Sequence, residues 1–313
     1  MALEVERSVL TYDVGGSHVS AAVCRGDDFR LGPVVSAHYP AEQSSGAFVD
    51  LLHSLGVEAS SCFAGVSGAE IAVPGPFDFL AGVSRMRHKL PYLYGVNLRQ
   101  PLAERFGWEA CQVRFLKDAA AFLLGEIGAG AARGVPRTVG ITLGTGIGSA
   151  FAVNGRLVTE GRGVPADGEI WNLPYNGGIV EDSLSTRAIQ QAYERRAGVV
   201  PDVAGIAAAA GYDQNAAAVF TEFGHHLGLA MRMALSEFAP QVVVLGGGIS
   251  RSAHLFLPAA QSQLEDLKFR LVVSTLKDLA PLVGAAVEWF CTAEGTNAPS
   301  LQPASGAIDA ELV

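Results

Sequence analysis

Clusters of basic residues are missing from this sequence. Its 313 residues contain 22 lysines and arginines against 31 aspartates and glutamates, which gives a formal net charge of −9. Proteins that bind nucleic acid neutralise phosphates with grouped Lys and Arg side chains, and no basic block of that kind occurs along the chain. The sequence therefore argues against a nucleic-acid partner.

Long apolar runs and paired cysteines are also absent. No apolar stretch reaches the roughly 20 residues that cross a bilayer, and residues 1–7 lack the apolar region of an export signal. The four cysteines are scattered and form no Cys-x-x-Cys pair, so we expect reduced thiols. These observations predict a cytoplasmic protein without a membrane partner.

The composition that remains is that of a globular protein with a large core. Apolar residues make up 49% of the chain and charged residues 17%, so enough apolar surface is available for burial. A length of 313 residues suits two domains better than one small core.

Three apolar strands that run directly into glycines stand out along the chain. They are residues 9–14 before Gly15, Gly16 and Ser17, residues 138–143 before Gly144, Thr145 and Gly146, and residues 242–245 before Gly246, Gly247 and Gly248. Successive backbone N–H groups in such turns form concavities that bind anions, and glycine lets a phosphate approach because it has no Cβ. One glycine turn is equally well explained as plain structure, but three of the same form favour a nucleotide held from several sides.

The first of these units opens a predicted antiparallel meander over residues 8–39, and a loosely similar strand–turn–strand unit recurs near residue 140. A helix is predicted at 41–56 and a short strand at 61–66. The Pro-Gly-Pro run at 74–76 predicts that residues 68–78 form a rigid loop. That loop, which contains Gly75, either walls a small-molecule site or is a plain connection.

Asp118 follows a predicted strand at 111–116 and precedes a predicted helix at 119–129. Taken alone, this position is best explained as a helix N-cap. Further along, the apolar pattern predicts helices at 179–196, 201–238, 252–267 and 281–291 and a last strand at 271–274.

Together the glycine motifs resemble those of the ROK family of bacterial sugar kinases and related repressors, within the sugar kinase, Hsp70 and actin superfamily. Residues 13–17 are similar to the first phosphate loop of that family and residues 143–148 to its second. Residues 244–249 resemble its adenosine-side motif. Asp118, followed by three alanines, resembles the segment that carries the catalytic aspartate. The matching pieces cover most of the chain in the family's order.

The resemblance implies an α/β fold of two actin-like, ribonuclease H-like domains with mixed sheets around a central cleft. Residues 1–120 and 281–291 would form the small domain, and residues 121–280 the large one. Residues 292–313, which are small, polar and bear Pro and Gly, are predicted to be disordered.

The reaction that the resemblance implies is transfer of phosphate from ATP to a sugar hydroxyl. Asp118 would accept the proton of the attacking hydroxyl, Asp13 would help to hold Mg²⁺, and the three glycine turns would bind the nucleotide and its phosphates. Glu169 and Glu181 match sugar-binding positions. The residues expected on the sugar side are Gly75, Lys117, Glu169, Asn172 and Glu181.

The sequence departs from the family pattern on the sugar side. Family members carry a zinc site of one His and three Cys, but Asn172 stands at the His position and residues 173–179 contain no Cys. Asn and Ile do not replace thiolate or imidazole as zinc ligands, so we expect no structural zinc. The family histidine also contacts the sugar, so Asn172 indicates a changed substrate.

Lys117 replaces a family Asn that contacts the sugar. If Lys117 faces the cleft, it favours an anionic sugar and lowers the pKa of Asp118. If it faces away, it is an ordinary solvated lysine.

Two functions fit these residues: a sugar kinase with an altered substrate, and a sugar- or nucleotide-binding sensor without turnover. Because Asp118 is retained and a pure binder does not need it, we prefer the kinase. Family repressors carry a helix-turn-helix domain before the first phosphate loop, and that loop begins here near residue 10, so a repressor is not expected. The family suggests a homodimer. The sugar, and the choice between ATP and polyphosphate, stay open.

Overall fold

Two five-stranded sheets with helices packed on their faces form the frame of the molecule. The computed structural model of the chain describes residues 7–40, 42–87 and 89–293. Within them the strands are, in chain order, Ser8–Val14 (β1), His18–Arg25 (β2), Val35–His38 (β3), Ala69–Val73 (β4), Phe77–Asp78 (β5), Val83–Ser84 (β6), Val113–Lys117 (β7), Arg137–Leu143 (β8), Ile147–Val153 (β9), Arg156–Val158 (β10), Pro174–Tyr175 (β11), Gly178–Ile179 (β12), Val242–Gly246 (β13) and Arg270–Val273 (β14).

The α-helices of the same described ranges lie between and after these strands. They are Ser45–Ser60 (α1), Arg99–Phe106 (α2), Asp118–Gly128 (α3), Val180–Ser183 (α4), Thr186–Ala197 (α5), Val203–Ala209 (α6), Gln214–Leu235 (α7), Ala253–Ser262 (α8) and Ala280–Ala293 (α9), and α4 to α7 follow one another directly. No helix of the described residues is long and apolar enough to cross a membrane.

Both large sheets share one strand pattern. The first has the order β3-β2-β1-β4-β7 and the second β10-β9-β8-β13-β14. In each, the first three strands are antiparallel and the last two continue parallel to the central one. The loose duplication predicted from the sequence is therefore a repeat of the sheet itself, with one glycine turn at the same place in each copy.

Two separate cores lie against these sheets. One packs Tyr12 and Phe48 between the first sheet and α1 and α2, and the other packs Phe151 and Phe220 between the second sheet and α5 to α8. Large aromatic side chains that are fully buried supply much of the free energy that each core gains on folding.

Helices α3 and α9 join the two halves by packing backbone against backbone. A Cβ on Gly284 would lie 1.7 Å from the carbonyl oxygen of Ala121, and a Cβ on Gly125 would lie 2.0 Å from that of Ala280. Only glycine permits this approach. The pair therefore places the N-terminus of α3 between the sheets.

The predicted strand at 61–66 is wrong, and the strand lies at Ala69–Val73, within the segment interpreted as a loop. This strand is hard to recognise from the sequence, because the charged residue Glu70 interrupts the apolar pattern of its fully buried residues. The Glu70 carboxylate lies 2.7 Å from the guanidinium of Arg114, its register partner on β7. A buried charge with a close partner is tolerated where an isolated one is not.

Two predicted helices are each divided. The helix predicted at 179–196 is broken between α4 and α5, because Ser185 caps a new start by accepting a hydrogen bond from the N–H of Ala188. The helical region at 201–238 is likewise divided, with Asp213 capping α7. The last helix continues to Ala293, two residues beyond its predicted end. Residues 294–313 of the predicted tail lie outside the described residues.

Candidate active site

Asp13 and Asp118 lie at one edge of the first sheet. The parallel strands β1, β4 and β7 pair with Asp13 beside Ala72 and Ala72 beside Leu116. Since carboxyl ends of parallel strands meet at one edge, the end of β1 and the residues after β7 open on the same side. The loop containing Gly75 follows β4 at this edge, and Gly75 is half-buried with open space where a Cβ would be.

The first glycine turn, residues 15–17, joins β1 to β2 and is held by Tyr39. The Tyr39 hydroxyl donates to the carbonyl of Gly15, and the Tyr39 N–H donates to the carbonyl of Ser17 at 3.1 Å. Gly16 and Ser17 are exposed. The carbonyls therefore face the protein, and the outer side of the turn is open to a ligand.

The second glycine turn, residues 144–146, joins β8 to β9 and is hydrogen-bonded to the start of α5. Thr186 donates to the carbonyl of Gly144 from its N–H at 2.8 Å and from Oγ1 at 3.0 Å. Glu181 accepts from the N–H of Ile147 at 3.2 Å, and a Cβ on Gly146 would lie 2.0 Å from its Oε2. The Glu181 carboxylate thus lies directly against the phosphate loop.

The third glycine run, residues 246–248, lies beside the second turn. Gly246 pairs with Thr142, so β13 ends next to the end of β8. Gly247 has φ of +82°, and a Cβ there would lie 2.4 Å from the carbonyl oxygen of Leu143. This position requires glycine on both counts. Two of the three glycine runs therefore form one continuous backbone surface on the second sheet.

Asp118 is the first residue of α3 and lies where the two halves meet. Its Oδ1 accepts from the N–H of Ala119 at 2.7 Å, and the N-cap position itself is Lys117. A Cβ on Gly148 of β9 would lie 3.1 Å from the Cβ of Ala119. The start of α3 thus touches the strand that follows the second phosphate loop, and Asp118 faces both halves of the site.

Burial and neighbouring groups act on the pKa values of Asp118 and Asp13, some raising and some lowering them. Burial raises the pKa of Asp118, whereas Lys89, the Ala119 N–H and Lys117 lower it. Burial, followed by repulsion from Asp118 and Asp278, raises the pKa of Asp13 to about 7. A carboxyl group with a raised pKa is a better proton acceptor, and a crowded pair of carboxylates is suited to a cation.

Lys117 faces the cleft. Its Nζ lies 2.7 Å from Oε1 of Glu169, and the two side chains are 19% and 27% exposed. Lys117 ends β7 of the first sheet, whereas Glu169 lies in the loop after the hairpin of the second, so this ion pair crosses between the halves. The other oxygen of Glu169 accepts from the indole N–H of Trp171.

The loop that replaces the family's zinc motif is a short hairpin, β11–β12. The Tyr175 hydroxyl lies 2.8 Å from Nδ1 of His226 on α7, with the rings edge to face. Among the described residues, no group of three or more His, Cys, Asp or Glu side chains is spaced to hold a metal ion. Asn172, just before the hairpin, is exposed.

Sequence reasoning missed several residues that shape this site. Lys89, Tyr39 and Thr186 lie in loops or at element ends, where no periodicity singles them out. Trp171 stands two residues after Glu169 within the motif, and its indole was the one available signal. The structure brings Asp118, Lys117 and Glu169 together and places Glu181 at the phosphate loop instead.

The sequence profile of the ROK family matches residues 9–290. A glucokinase of Thermotoga maritima is 29% identical over 247 residues, which cover 69% of this chain and 77% of that protein. Among solved structures, a ROK hexokinase from Thermus thermophilus has a TM-score of 0.76 and 26% identity, covering 92% of this chain and all of the other.

A ROK family glucokinase from Streptomyces griseus, solved in complex with glucose and AMPPNP, has a TM-score of 0.74 and 23% identity, covering 89% of this chain and 98% of the other. These likenesses confirm the fold class predicted from the sequence, with mixed sheets in two actin-like halves.

Proposed function

The chain belongs to the ROK family, and we propose that it transfers the γ-phosphate of ATP to a hydroxyl of a hexose or hexose derivative. Its named relatives confirm the coarser prediction made from the sequence, a carbohydrate kinase. The finer statement is supported by the AMPPNP and glucose bound in the Streptomyces griseus enzyme.

The position of Asp118 supports this proposal most strongly. It stands at the helix start between the two phosphate loops, with a pKa raised by burial. In the proposed reaction the sugar hydroxyl attacks the γ-phosphorus, the bond to the β-phosphate oxygen breaks, and Asp118 takes the hydroxyl proton. Most of the remaining catalysis is positioning and neutralisation of charge.

The donor side, defined as the glycine turns 15–17, 144–146 and 246–248, would hold the nucleotide. The first two turns would offer N–H groups to the phosphates, and the third would border the adenosine. Asp13 fits a magnesium role, because its charge is crowded by Asp118 and Asp278 and a cation relieves that repulsion. Bound Mg²⁺ would neutralise charge on the phosphates.

The acceptor side, defined as Lys89, Lys117, Asp118 and Glu169, would hold the sugar. Gly75, Asn172 and Glu181 stay proposed sugar contacts, although Glu181 lies nearer the phosphate loop. We also propose the division into residues 1–120 with 281–291 and residues 121–280, a cytoplasmic location, a homodimer, and no nucleic-acid partner.

A substrate survey of the intact chain tests the proposal. Neutral hexoses, N-acetylhexosamines and hexuronates would be offered with ATP or polyphosphate and Mg²⁺, and sugar phosphate and spent donor would be measured together. We expect sugar-dependent formation of ADP and sugar phosphate in equal amounts. Binding of nucleotide and sugar without any transfer would favour the alternative, a non-catalytic sensor.

A further inference from the structure

The ammonium of Lys117 is buried without a complete set of partners. Its Nζ is closed off from solvent and lies 2.7 Å from Oε1 of Glu169, but at angles outside those of a hydrogen bond, and no other acceptor among the described residues is hydrogen-bonded to it. An ammonium has three donors and no acceptor. Buried polar groups are normally hydrogen-bonded, so this group is suited to acceptor atoms that a ligand brings.

Glu169 does not balance this surplus of donors. One of its oxygens faces Lys117, and the other accepts from the Trp171 indole. Its capacity for sugar hydroxyls is therefore partly used within the protein. A neutral sugar that needed Glu169 as its main acceptor would compete with two internal contacts.

Lys89 adds a second cation at the same end of the site. It is exposed, it acts electrostatically on Asp118, and it forms no ion pair within the described ranges. Besides Asp118 itself, which takes the proton, the acceptor side offers these two ammonium groups one carboxylate, that of Glu169. Asp13 lies on the donor side, where phosphates and Mg²⁺ are expected.

We infer that the acceptor is a sugar acid, whose carboxylate binds to Lys117 and Lys89 while a hydroxyl of the same sugar faces Asp118. The inference rests on the proposed kinase activity and names its substrate class. An ionised carboxylate only accepts hydrogen bonds, and it matches the two lysines. The carboxylate is bound and not phosphorylated, so the hydroxyl oxygen still takes the phosphoryl group and its proton still goes to Asp118.

A sugar phosphate would bring the same kind of charge but fits less well. A phosphate monoester carries about −1.5 to −2 charges at neutral pH. That charge would lie close to Asp118 and Glu169 and to the phosphate being transferred. A carboxylate satisfies the two lysines with a single charge.

Matched pairs of neutral and acidic sugars test this inference. Glucose, galactose and mannose would each be compared with the corresponding hexuronate, and glucose 6-phosphate would be added as the phosphate arm. We expect kcat/KM for at least one hexuronate to exceed that of its neutral partner by about tenfold or more. We also expect the hexuronate KM to rise with salt, because screening weakens charge pairing.

Variants then assign the effect to the lysines. Lys117→Met should lower kcat/KM for the hexuronate about 100-fold, since a charged partner is lost, and the loss for the neutral sugar should be at least about tenfold smaller. Lys89→Gln should act in the same direction but less strongly, because this side chain is exposed. Lys268→Met, which removes an exposed lysine far along the chain, is the control.

The possible results separate the two proposals. Turnover of neutral hexoses only, or an equal effect of Lys117→Met on acidic and neutral sugars, would overturn the sugar-acid inference and leave the kinase intact. Preference for glucose 6-phosphate over every hexuronate would also overturn it. If no sugar is turned over, calorimetry with the hexuronates decides, and absence of binding overturns the inference. If Lys117→Met does not fold, the double variant Lys117→Met with Glu169→Gln, which removes both charges of the ion pair, takes its place in the same comparison of acidic and neutral sugars.

Discussion

The donor side of the cleft is held by backbone, whereas the acceptor side is made of charged side chains from distant segments. The turn at 15–17 is fixed by hydrogen bonds from Tyr39 to two carbonyls. At the other end, Lys117 reaches Glu169 across the two halves. Amide donors suit any nucleotide phosphate, but a set of charged side chains selects among sugars. The backbone donors therefore suit a phosphoryl donor that stays the same, whereas the charged side chains allow the sugar substrate to differ.

The largest effect is expected at Gly247 on the donor side, where the neighbouring backbone leaves no space for a Cβ. Gly247→Ala combines positive φ with a Cβ 2.4 Å from a carbonyl oxygen that cannot rotate away. We expect it to lower the free energy of unfolding by about 3 kcal/mol or more and to weaken ATP binding. Denaturant unfolding and ATP titration measure both.

Gly248→Ala is the matched control, because nothing lies within 4 Å of a Cβ at that position. If Gly247→Ala and Gly248→Ala have equal effects, backbone crowding does not shape the donor side.

A smaller effect is expected at Asp13, the one charge proposed for the donor side. Its pKa of about 7 in the folded protein, against an ordinary 3.8, means that the folded state holds a proton between these pH values which the unfolded state has lost. Stability therefore falls as pH rises through this window. Asp13→Asn should remove that loss and be more stable than the natural protein by about 2 kcal/mol at pH 8, roughly half of what the pKa difference implies, because Asp13 is only half-buried and solvent screens its charge.

Urea unfolding of both proteins from pH 4 to pH 8, without Mg²⁺ or nucleotide, measures this difference. The difference should largely disappear near pH 4, where Asp13 is protonated in the folded protein and in roughly two fifths of the unfolded chains. A difference that is constant with pH would mean that Asp13 is not crowded by other charges.

The smallest effect is expected at the support of the first turn. Tyr39→Phe removes one hydrogen bond to the carbonyl of Gly15 while keeping the ring against Phe48. We expect a loss of about 1 kcal/mol in stability and a rise of a few fold in the KM for ATP, with the KM for sugar unchanged. Steady-state kinetics with each substrate varied in turn measures the split.

Tyr92→Phe is the control for that measurement. Tyr92 also packs against Phe48, but its hydroxyl accepts from Gln43 instead of contacting the phosphate loop. If both variants raise the KM for ATP equally, the contribution of Tyr39 is to the core and not to the turn.

The difference between local backbone motifs and contacts of distant side chains also determines which features could be predicted from the sequence. Strands that run into glycines are local patterns, so the two hairpins and the run at 246–248 were predictable to within a residue or two. The strand at 69–73 was not, since Glu70 hides it until its partner Arg114, 44 residues away, is known. The acceptor side depends on such distant contacts throughout. The orientation of Lys117 was an open alternative, and only the three-dimensional contact with Glu169 decides it.

The influence of Lys89 on Asp118 could not be predicted from the sequence. Lys89 lies in a loop without periodicity, and nothing in its neighbourhood along the chain connects it with Asp118. Its electrostatic effect there arises only from the fold.

Asp118→Asn, with phosphoryl transfer and ligand binding measured on one preparation, decides whether Asp118 is the proton acceptor of a sugar kinase. Asparagine keeps the shape and the polar contact with Ala119 but does not accept a proton near neutral pH. We expect transfer to fall by about 10²–10⁴-fold, while the dissociation constants for sugar and ATP stay within about threefold. Transfer retained at the natural rate would contradict this expectation and reduce Asp118 to a structural residue at the start of α3.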